Sequence, residues 1–247
     1  MLGLPDQVRA CLFDLDGVLT RTAKVHAAAW KEMFDDYLRR RAQDDGTPFV
    51  PFDAVRDYDA YVDGRPRADG IRTFLASRGI SLPEGGPDDP PGTATVHGLG
   101  IRKNDLLLRR IREDGVEAYE GSVDYVRAAG EAGLRLAVVS SSANCRAVLD
   151  AAGIADLFDE RIDGTVAKTQ RLPGKPAPDT YLAGARALGA EPGAAAVFED
   201  ALAGVEAGRA GGFGLVVGVD RTGQADELRR HGADVVVQDL SELLERR

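Results

Sequence analysis

Acidic side chains follow two apolar segments of the chain, at positions where they could share a divalent cation. Asp14 and Asp16 come after one such segment, and Glu199 and Asp200 end another. If the first segment is a strand that continues through the pair, a spacing of two places both acids on one side. Clustered carboxylates repel each other unless a cation lies between them, and oxygen ligands without His or Cys favour Mg²⁺ over zinc. These residues therefore predict a magnesium site; the plain alternative is that each acid caps the helix that follows it.

Two further polar residues suit a phosphate group. Ser140 follows a third apolar segment and precedes a helical one, so its hydroxyl and the neighbouring N–H groups can bind a phosphoryl oxygen. Lys175 lies between glycine and proline in GKPAPD, where the prolines restrict the path of the chain, and an ammonium there can neutralise phosphate. The alternatives are that Ser140 is the N-cap of the next helix and that Lys175 is a solvated loop lysine.

The elements that must position these residues alternate between strands and helices. Five apolar runs lack the polar alternation of a half-exposed strand, which indicates strands buried on both faces. The segments between them begin with polar residues and end in glycine, as helices do. This alternation predicts an α/β fold with a doubly wound parallel sheet, whose ligands bind beyond the carboxyl ends of the strands. The predicted strands are 8–13, 134–139, 195–198, 214–220 and 234–240, and the predicted helices are 122–133, 145–153 and 179–189.

The alternation is interrupted directly after the first strand by a segment in which only helices are predicted. We interpret 22–113 as a helical cap domain, inserted into a core formed by 1–21 and 114–247. Within the insert, residues 81–100 are rich in proline and glycine and predict an exposed, irregular excursion. The predicted helices of the insert are 24–42, 70–79 and 103–113.

Composition excludes several classes of function. The chain has 247 residues and a formal net charge of −9, so we expect neither nucleic acid nor a membrane as a partner. A bound Mg²⁺ and Lys175 would reconcile this charge with an anionic substrate. Cys11 and Cys145 lie in apolar segments and are typical of buried thiols in a reducing compartment. With no predicted signal peptide or membrane span, we expect a cytoplasmic enzyme.

Four motifs, taken in order, resemble those of the haloacid dehalogenase-like phosphotransferase superfamily. They are FDLDGVLT at 13–20, VVSSSAN at 138–144, GKPAPD at 174–179 and VFEDALAGVEAGRAGG at 197–212. The resemblance covers essentially the whole chain, and this superfamily places its mobile cap where the helical insert lies. It implies the same α/β core, with the Lys175–Pro176 peptide bond expected to be cis.

The resemblance also implies a role for each of the polar residues described above. Asp14 would be the nucleophile that accepts the phosphoryl group as an aspartyl phosphate, and Asp16 the general acid and base. Ser140 and Lys175 would hold the transferring phosphate. The ligands of Mg²⁺ would be Asp14, the carbonyl of Asp16, Glu199 and Asp200.

The segment DLDGVLTRTAKVHAAAWK at 14–31 is especially similar to the β-phosphoglucomutase family. The residues that follow that family's pattern, and would contact substrate, are Thr22, His26, Trp30, Lys31, Arg67, Lys103, Asn104, Ser142 and Asn144. The resemblance implies that Arg67 binds a second phosphate, for which a guanidinium is well suited, with Ser142 and Asn144 also contacting it. As alternatives, His26 and Trp30 could be an ordinary helix pair, and Arg67 and Lys103 solvated surface charges. Arg21, Ala143 and the long 81–100 segment depart from the family.

The activity implied is interconversion of β-D-glucose 1-phosphate and glucose 6-phosphate, with glucose 1,6-bisphosphate as the intermediate that activates the enzyme. One alternative is a magnesium-dependent phosphatase of sugar phosphates with the same core. Another is a non-catalytic protein that binds sugar phosphates, against which the intact acids argue. A dehalogenase suits the acids less well. We expect a monomer.

Overall fold

The computed structural model describes residues 2–245, except for the side chains of Asp114 and Glu245. The chain divides into two compact units. One unit comprises Met1–Arg21 and Val116–Arg247, and the other comprises Thr22–Gly115. The sequence-based boundary at 113/114 lies two residues before the second division.

The first unit is built on a six-stranded parallel sheet in the order β3-β2-β1-β4-β5-β6. This confirms the predicted fold class, because the strand order runs outward in both directions from the central β1. The strands are β1 (Ala10–Phe13), β2 (Arg135–Val139), β3 (Glu160–Ile162), β4 (Ala195–Glu199), β5 (Leu215–Val219) and β6 (Val235–Val237). The helices of this unit are α5 (Glu120–Glu131), α6 (Cys145–Ala151), α7 (Gly164–Gln170), α8 (Asp179–Ala187), α9 (Leu202–Ala210), α10 (Ala225–His231) and α11 (Ser241–Glu245).

Helices cover both faces of this sheet, which explains why the central strands β1 and β4 are apolar up to Glu199, the last residue of β4. Leu12 and Val197 point to one face, where they belong to a core cluster shared with α8, α9 and α10. Phe13 and Phe198 point to the other face, with ring centroids 4.5 Å apart, and Tyr125 of α5 packs against both. Since successive side chains of a strand alternate between faces, a strand buried on both sides is a nearly continuous apolar run.

The strand β3 was not predicted because it lacks an apolar run. It is three residues long and contains Glu160 and Arg161, both only partly buried. It lies at the edge of the sheet, paired with β2 alone. A short edge strand needs little apolar surface, so its sequence resembles that of a loop.

The second unit contains four helices, and the part of it that the structure describes has no strand. They are α1 (Ala23–Asp45), α2 (Arg56–Tyr61), α3 (Arg67–Ser77) and α4 (Val96–Asp114). Trp30 and Phe34 of α1 stack with centroids 5.3 Å apart, and Phe34 also packs against Phe52 and Phe74 at 5.1 and 4.3 Å. This aromatic cluster is the core of the unit, and all four side chains are buried.

The prediction that the whole of 81–100 is irregular is wrong for its last five residues. Helix α4 begins at Val96, after Thr95, whose hydroxyl accepts a hydrogen bond from the Gly98 N–H at 2.9 Å. This N-cap starts the helix despite the two glycines in its first turns. Val96 and Leu99 are buried and pack these first turns of α4 against the rest of the unit.

No helix in the described part of the chain is long and apolar enough to cross a membrane.

We predict that Phe34→Ala lowers the free energy of unfolding by about 3–5 kcal/mol, because it removes a buried ring at the centre of the aromatic cluster. Trp30, the single tryptophan of the chain, stacks on this ring and reports the transition by fluorescence during urea unfolding.

Phe49→Ala is the matched control. Its ring is 36% exposed and lies under the Arg39 guanidinium at 4.8 Å, so its loss should cost no more than about 1 kcal/mol. Equal effects of the two substitutions would contradict the assignment of the core.

Candidate active site

Two acid-bearing loops meet at the carboxyl edge of the sheet. The first acid loop, 14–20, follows β1, and the second acid loop, 199–201, runs from the last residue of β4 to the residue before α9. Strand register pairs Phe13 with Phe198, and the Asp14 N–H donates to the Phe198 carbonyl at 2.9 Å. The next residues of the two strands, Asp14 and Glu199, therefore lie beside each other.

Asp16 does not continue the strand geometry predicted from its spacing. The strand ends at Phe13, and the chain turns at Gly17, whose φ is +90°. A Cβ at Gly17 would overlap the carboxylate of Asp200, so only glycine allows the two loops to approach this closely. Asp16 is half-buried, and its carboxylate lies outside the cluster of three acids described below.

Lys175 is buried between two of the acids. Its Nζ donates to Asp14 Oδ1 at 2.5 Å, to Glu199 Oε1 at 2.6 Å and to the Val139 carbonyl at 3.0 Å. The side chain is 1% exposed, so the alternative of a solvated loop lysine is wrong. The Lys175–Pro176 peptide bond is cis, as expected.

Glu199 is held in place by several donors. Its Oε1 also accepts from the Tyr181 hydroxyl at 3.0 Å, and its Oε2 accepts from the Ala201 N–H at 3.0 Å. Its carboxylate lies so close to Gly204 of α9 that a Cβ there would overlap it. Glu199 therefore binds the backbone just before α9 as well as Lys175, but the N-cap of α9 is Ala201, not Glu199.

The residues present fit a divalent cation. Asp14, Glu199 and Asp200 are all buried, and each offers a carboxylate oxygen within 4.8 Å of the others. Burial raises the pKa of Asp14 well above its ordinary value, Lys175 opposes the rise, and the charges of Glu199 and Asp16 add to it. Burial by itself lowers the pKa of Lys175, but Asp14 and Glu199 outweigh it and the pKa is raised. Lys175 pairs with two of these three buried carboxylates, so a hard cation would relieve the remaining repulsion.

Ser140 is buried and is not the N-cap of the following helix. Helix α6 begins at Cys145 with Asn144 as its N-cap, and Ser140 Oγ instead accepts from the Ser142 N–H at 3.1 Å. Ser142 Oγ accepts in turn from the Asn144 N–H at 3.1 Å. Ser140 directly follows Val139, the residue whose carbonyl binds Lys175. These two hydrogen bonds from backbone N–H groups to serine hydroxyls thus shape the loop next to the acid cluster.

The structure brings three of the predicted substrate residues together in the helical unit. Lys103 Nζ lies 3.2 Å from His26 Nδ1 and 4.9 Å from the centre of the Trp30 ring. Lys103 is 3% exposed, so the alternative of a solvated surface charge is wrong for it. Thr22, also buried, is the residue before α1 and accepts a backbone hydrogen bond from the His26 N–H.

The other predicted residues of the helical unit lie in two places. Arg67, at the start of α3, donates to Asn104 Oδ1 at 2.9 Å and to the Gly100 carbonyl at 3.1 Å. Lys31 instead pairs with Asp35 at 2.8 Å and donates to the Phe52 carbonyl at 2.8 Å. Arg67 and Asn104 thus form a joined pair, whereas Lys31 joins α1 to the loop before α2.

Sequence reasoning missed three residues that contact the acid cluster or its loops. They are Tyr181, which binds Glu199, and Arg221 and Gln224, which follow β5 and bind the two acid loops. Tyr181 lies two residues beyond GKPAPD, and nothing in its spacing distinguishes it from a core tyrosine. Arg221 and Gln224 are in a polar loop at the predicted ligand-binding edge, which is the one signal that could have identified them.

Comparison with known proteins agrees with this geometry. Residues 8–212 match the haloacid dehalogenase-like hydrolase family. The chain is 58% identical to "Beta-phosphoglucomutase" of Mycobacterium tuberculosis (strain CDC 1551 / Oshkosh), over 99% of this chain and 94% of that protein. It is 30% identical to the Bacillus subtilis (strain 168) protein of the same name, over 96% and 92% of the two chains. The crystal structure of β-phosphoglucomutase from Clostridium difficile superposes with a TM-score of 0.74 at 25% identity, covering 96% of this chain and 93% of that one.

We predict that Asp14 makes the metal-free protein less stable as pH rises. Since its pKa is raised on folding above the ordinary 3.8, the folded state binds the proton more tightly than the unfolded state does. The contribution of Asp14 to the free energy of unfolding is therefore fully present below about pH 4 and is lost as pH rises through the pKa of the folded state. The free energy of unfolding falls by up to about 1.4 kcal/mol per pH unit over this range.

The measurement is urea unfolding with a chelator at several pH values from 4 to 8, for the parent and for Asp14→Asn. The Asn side chain keeps an acceptor for Lys175 but does not titrate. The free energy of unfolding of the parent relative to Asp14→Asn should fall with pH; a constant or rising difference would contradict the prediction.

Proposed function

This chain belongs to the haloacid dehalogenase-like hydrolase family, and we propose that within it the protein acts as a β-phosphoglucomutase. It interconverts β-D-glucose 1-phosphate and glucose 6-phosphate. The observation that carries the proposal is the buried cluster of Asp14, Lys175, Glu199 and Asp200, which combines a nucleophile, a fixed cation and oxygen ligands for a metal. The identity to mycobacterial and Bacillus β-phosphoglucomutases along nearly the whole chain supports the choice of substrate.

Asp14 is the nucleophile in this proposal. Its carboxylate attacks the phosphorus of a sugar phosphate, and the bond from phosphorus to the sugar oxygen breaks, leaving an aspartyl phosphate. Lys175 fixes the orientation of the carboxylate through Oδ1. Ser140, whose hydroxyl lies in the adjoining loop, binds an oxygen of the transferring group, whose developing charge Lys175 offsets.

Asp16 transfers the proton. It gives a proton to the sugar oxygen that leaves phosphorus and takes one from the sugar hydroxyl that attacks the aspartyl phosphate in the reverse direction. Asp16 lies on the first acid loop two residues after Asp14, and its carboxylate is half-buried, which suits exchange of a proton with a substrate oxygen near the nucleophile.

Mg²⁺ is the proposed cation, held by Asp14, the backbone carbonyl of Asp16, Glu199 and Asp200. Its donors are all oxygen, which suits this hard ion. When bound, it would neutralise charge on the transferring phosphoryl group.

The second phosphate of a bisphosphate needs its own cationic ligands. Within the helical unit we assign this role to Arg67. Asn104, which accepts a hydrogen bond from Arg67, and Lys103 are proposed to contact substrate, as are Ser142 and Asn144 of the first unit. His26, Trp30, Thr22 and Lys31 are the remaining proposed substrate residues. Arg67 is held by Asn104 and Gly100, which presents its guanidinium in a fixed orientation for phosphate. A hydrolase of monophosphates has no need for such a second site.

We predict that turnover of β-glucose 1-phosphate requires glucose 1,6-bisphosphate in catalytic amounts, because the bisphosphate charges Asp14 with the phosphoryl group. Glucose 6-phosphate is measured with a coupled dehydrogenase, and free phosphate is measured in the same samples. Release of phosphate equal to the substrate consumed, with no glucose 6-phosphate, would identify a phosphatase instead; binding without turnover would identify a sugar-phosphate-binding protein.

Asp16→Asn should lower kcat by about 10²–10⁴-fold, the usual contribution of a general acid or base, with an unchanged circular dichroism spectrum. Asp226→Asn, at an exposed position of α10, is the matched control and should keep parental kcat. Turnover at the parental rate in Asp16→Asn would show that another group moves the proton.

A further inference from the structure

The loop between β5 and α10, residues 220–224, has a shape fixed by its own first side chain. Asp220 Oδ1 accepts from the N–H groups of Thr222, Gly223 and Gln224 at 3.2, 2.7 and 2.8 Å. A carboxylate that accepts three successive N–H groups closes a tight turn. We call residues 220–224 the bracing loop, because two of its side chains reach the acid loops.

Arg221 binds the first acid loop. Its Nε donates to the Gly17 carbonyl at 2.8 Å and its Nη1 to the Gln238 carbonyl at 2.6 Å. The guanidinium also stacks on the Tyr119 ring, 3.6 Å from its centre, and pairs with Asp239 at 3.3 Å. The side chain is 15% exposed. A planar guanidinium with five N–H donors can bind all these groups at once, whereas the ammonium of a lysine cannot.

Gln224 binds the second acid loop. Its Nε2 donates to the backbone carbonyl of Asp200 at 3.1 Å. Gly17 and Asp200 are the residues whose backbone and carboxylate lie in close contact. The bracing loop thus holds the backbone on both sides of that contact, Gly17 through Arg221 and Asp200 through Gln224.

We propose that Arg221 and Gln224 are positioning residues that set the separation between the two acid loops, and through it the affinity of the site for a divalent cation. The carboxylates of the two loops repel each other before the cation binds. Because the loops are held through their backbone carbonyls, that repulsion is overcome during folding and not at the moment of binding. The part of this inference that concerns affinity rests on the proposed cation site.

Arg221→Lys and Gln224→Leu test the proposal. Lysine keeps the positive charge near the acids but lacks the planar guanidinium. The first variant therefore separates the effect of hydrogen-bond geometry from that of charge. The matched control is Arg9→Lys. Arg9 also donates to backbone carbonyls, those of Asp6 and Val8 at 2.6 and 2.8 Å, but at the amino end of β1.

The first measurement is amide hydrogen exchange of the metal-free full chain. In Arg221→Lys, exchange should rise about tenfold in peptides covering both 12–21 and 197–205, because local opening is easier once the loops are no longer held. Arg9→Lys should leave both peptides unchanged. A rise confined to 12–21, or no rise, would overturn the proposal that the two loops are held together.

The second measurement is titration of the same proteins with Mg²⁺ by calorimetry. The Kd should rise about 10–100-fold in Arg221→Lys and in Gln224→Leu, as for other residues that orient metal ligands, and stay within about twofold in Arg9→Lys. If the parent binds Mg²⁺ and both variants bind it equally well, the positioning role is wrong. If the parent does not bind Mg²⁺, the proposed cation site fails, while hydrogen exchange still decides whether the loops are held.

Discussion

The ammonium of Lys175 is the interaction on which the site depends. Its three donors bind Asp14 after β1, Val139 of β2 and Glu199 of β4, which are the carboxyl ends of three neighbouring strands. Removing one partner from such a buried set leaves an uncompensated charge in a poorly solvated place, which is far more destabilising than the loss of a surface ion pair. The position of Asp14 is therefore tied to the integrity of the sheet edge.

The same cluster has more carboxylates than cationic groups. Lys175 pairs with two of the three buried carboxylates, Asp14 and Glu199, and a divalent cation would relieve the repulsion among the three. Gly17 allows the two acid loops to approach, since a side chain there would occupy the space of the Asp200 carboxylate. Close approach of like charges must be maintained by contacts outside the cluster, and the backbone carbonyls of these loops receive such contacts from the bracing loop.

The helical unit also holds cationic side chains among polar and aromatic groups. Lys103 is buried against the Trp30 ring and the His26 imidazole, and Arg67 donates to an amide and a carbonyl. Lys31, by contrast, pairs with the carboxylate of Asp35. The aromatic cluster around Phe34 packs α1, which carries His26 and Trp30, against Phe74 of α3, the helix that begins at Arg67.

The sequence by itself determined the class of fold, the family and the identity of the acids, Ser140 and Lys175, because these depend on local patterns. Apolar runs predict strands, and short motifs such as FDLDGVLT are specific to a chemistry. Only the tertiary structure decided several other features. They are the strand β3, the start of α4 at Val96, and the contacts of Tyr181, Arg221 and Gln224. The strand β3 depends on its partner strand, the start of α4 on a single cap, and the three side chains on contacts between residues far apart in the chain. None of these leaves a periodic signal in the sequence. The affinity of an acid cluster for a cation is a property of distances between loops, and distances between loops exist only after the chain has folded.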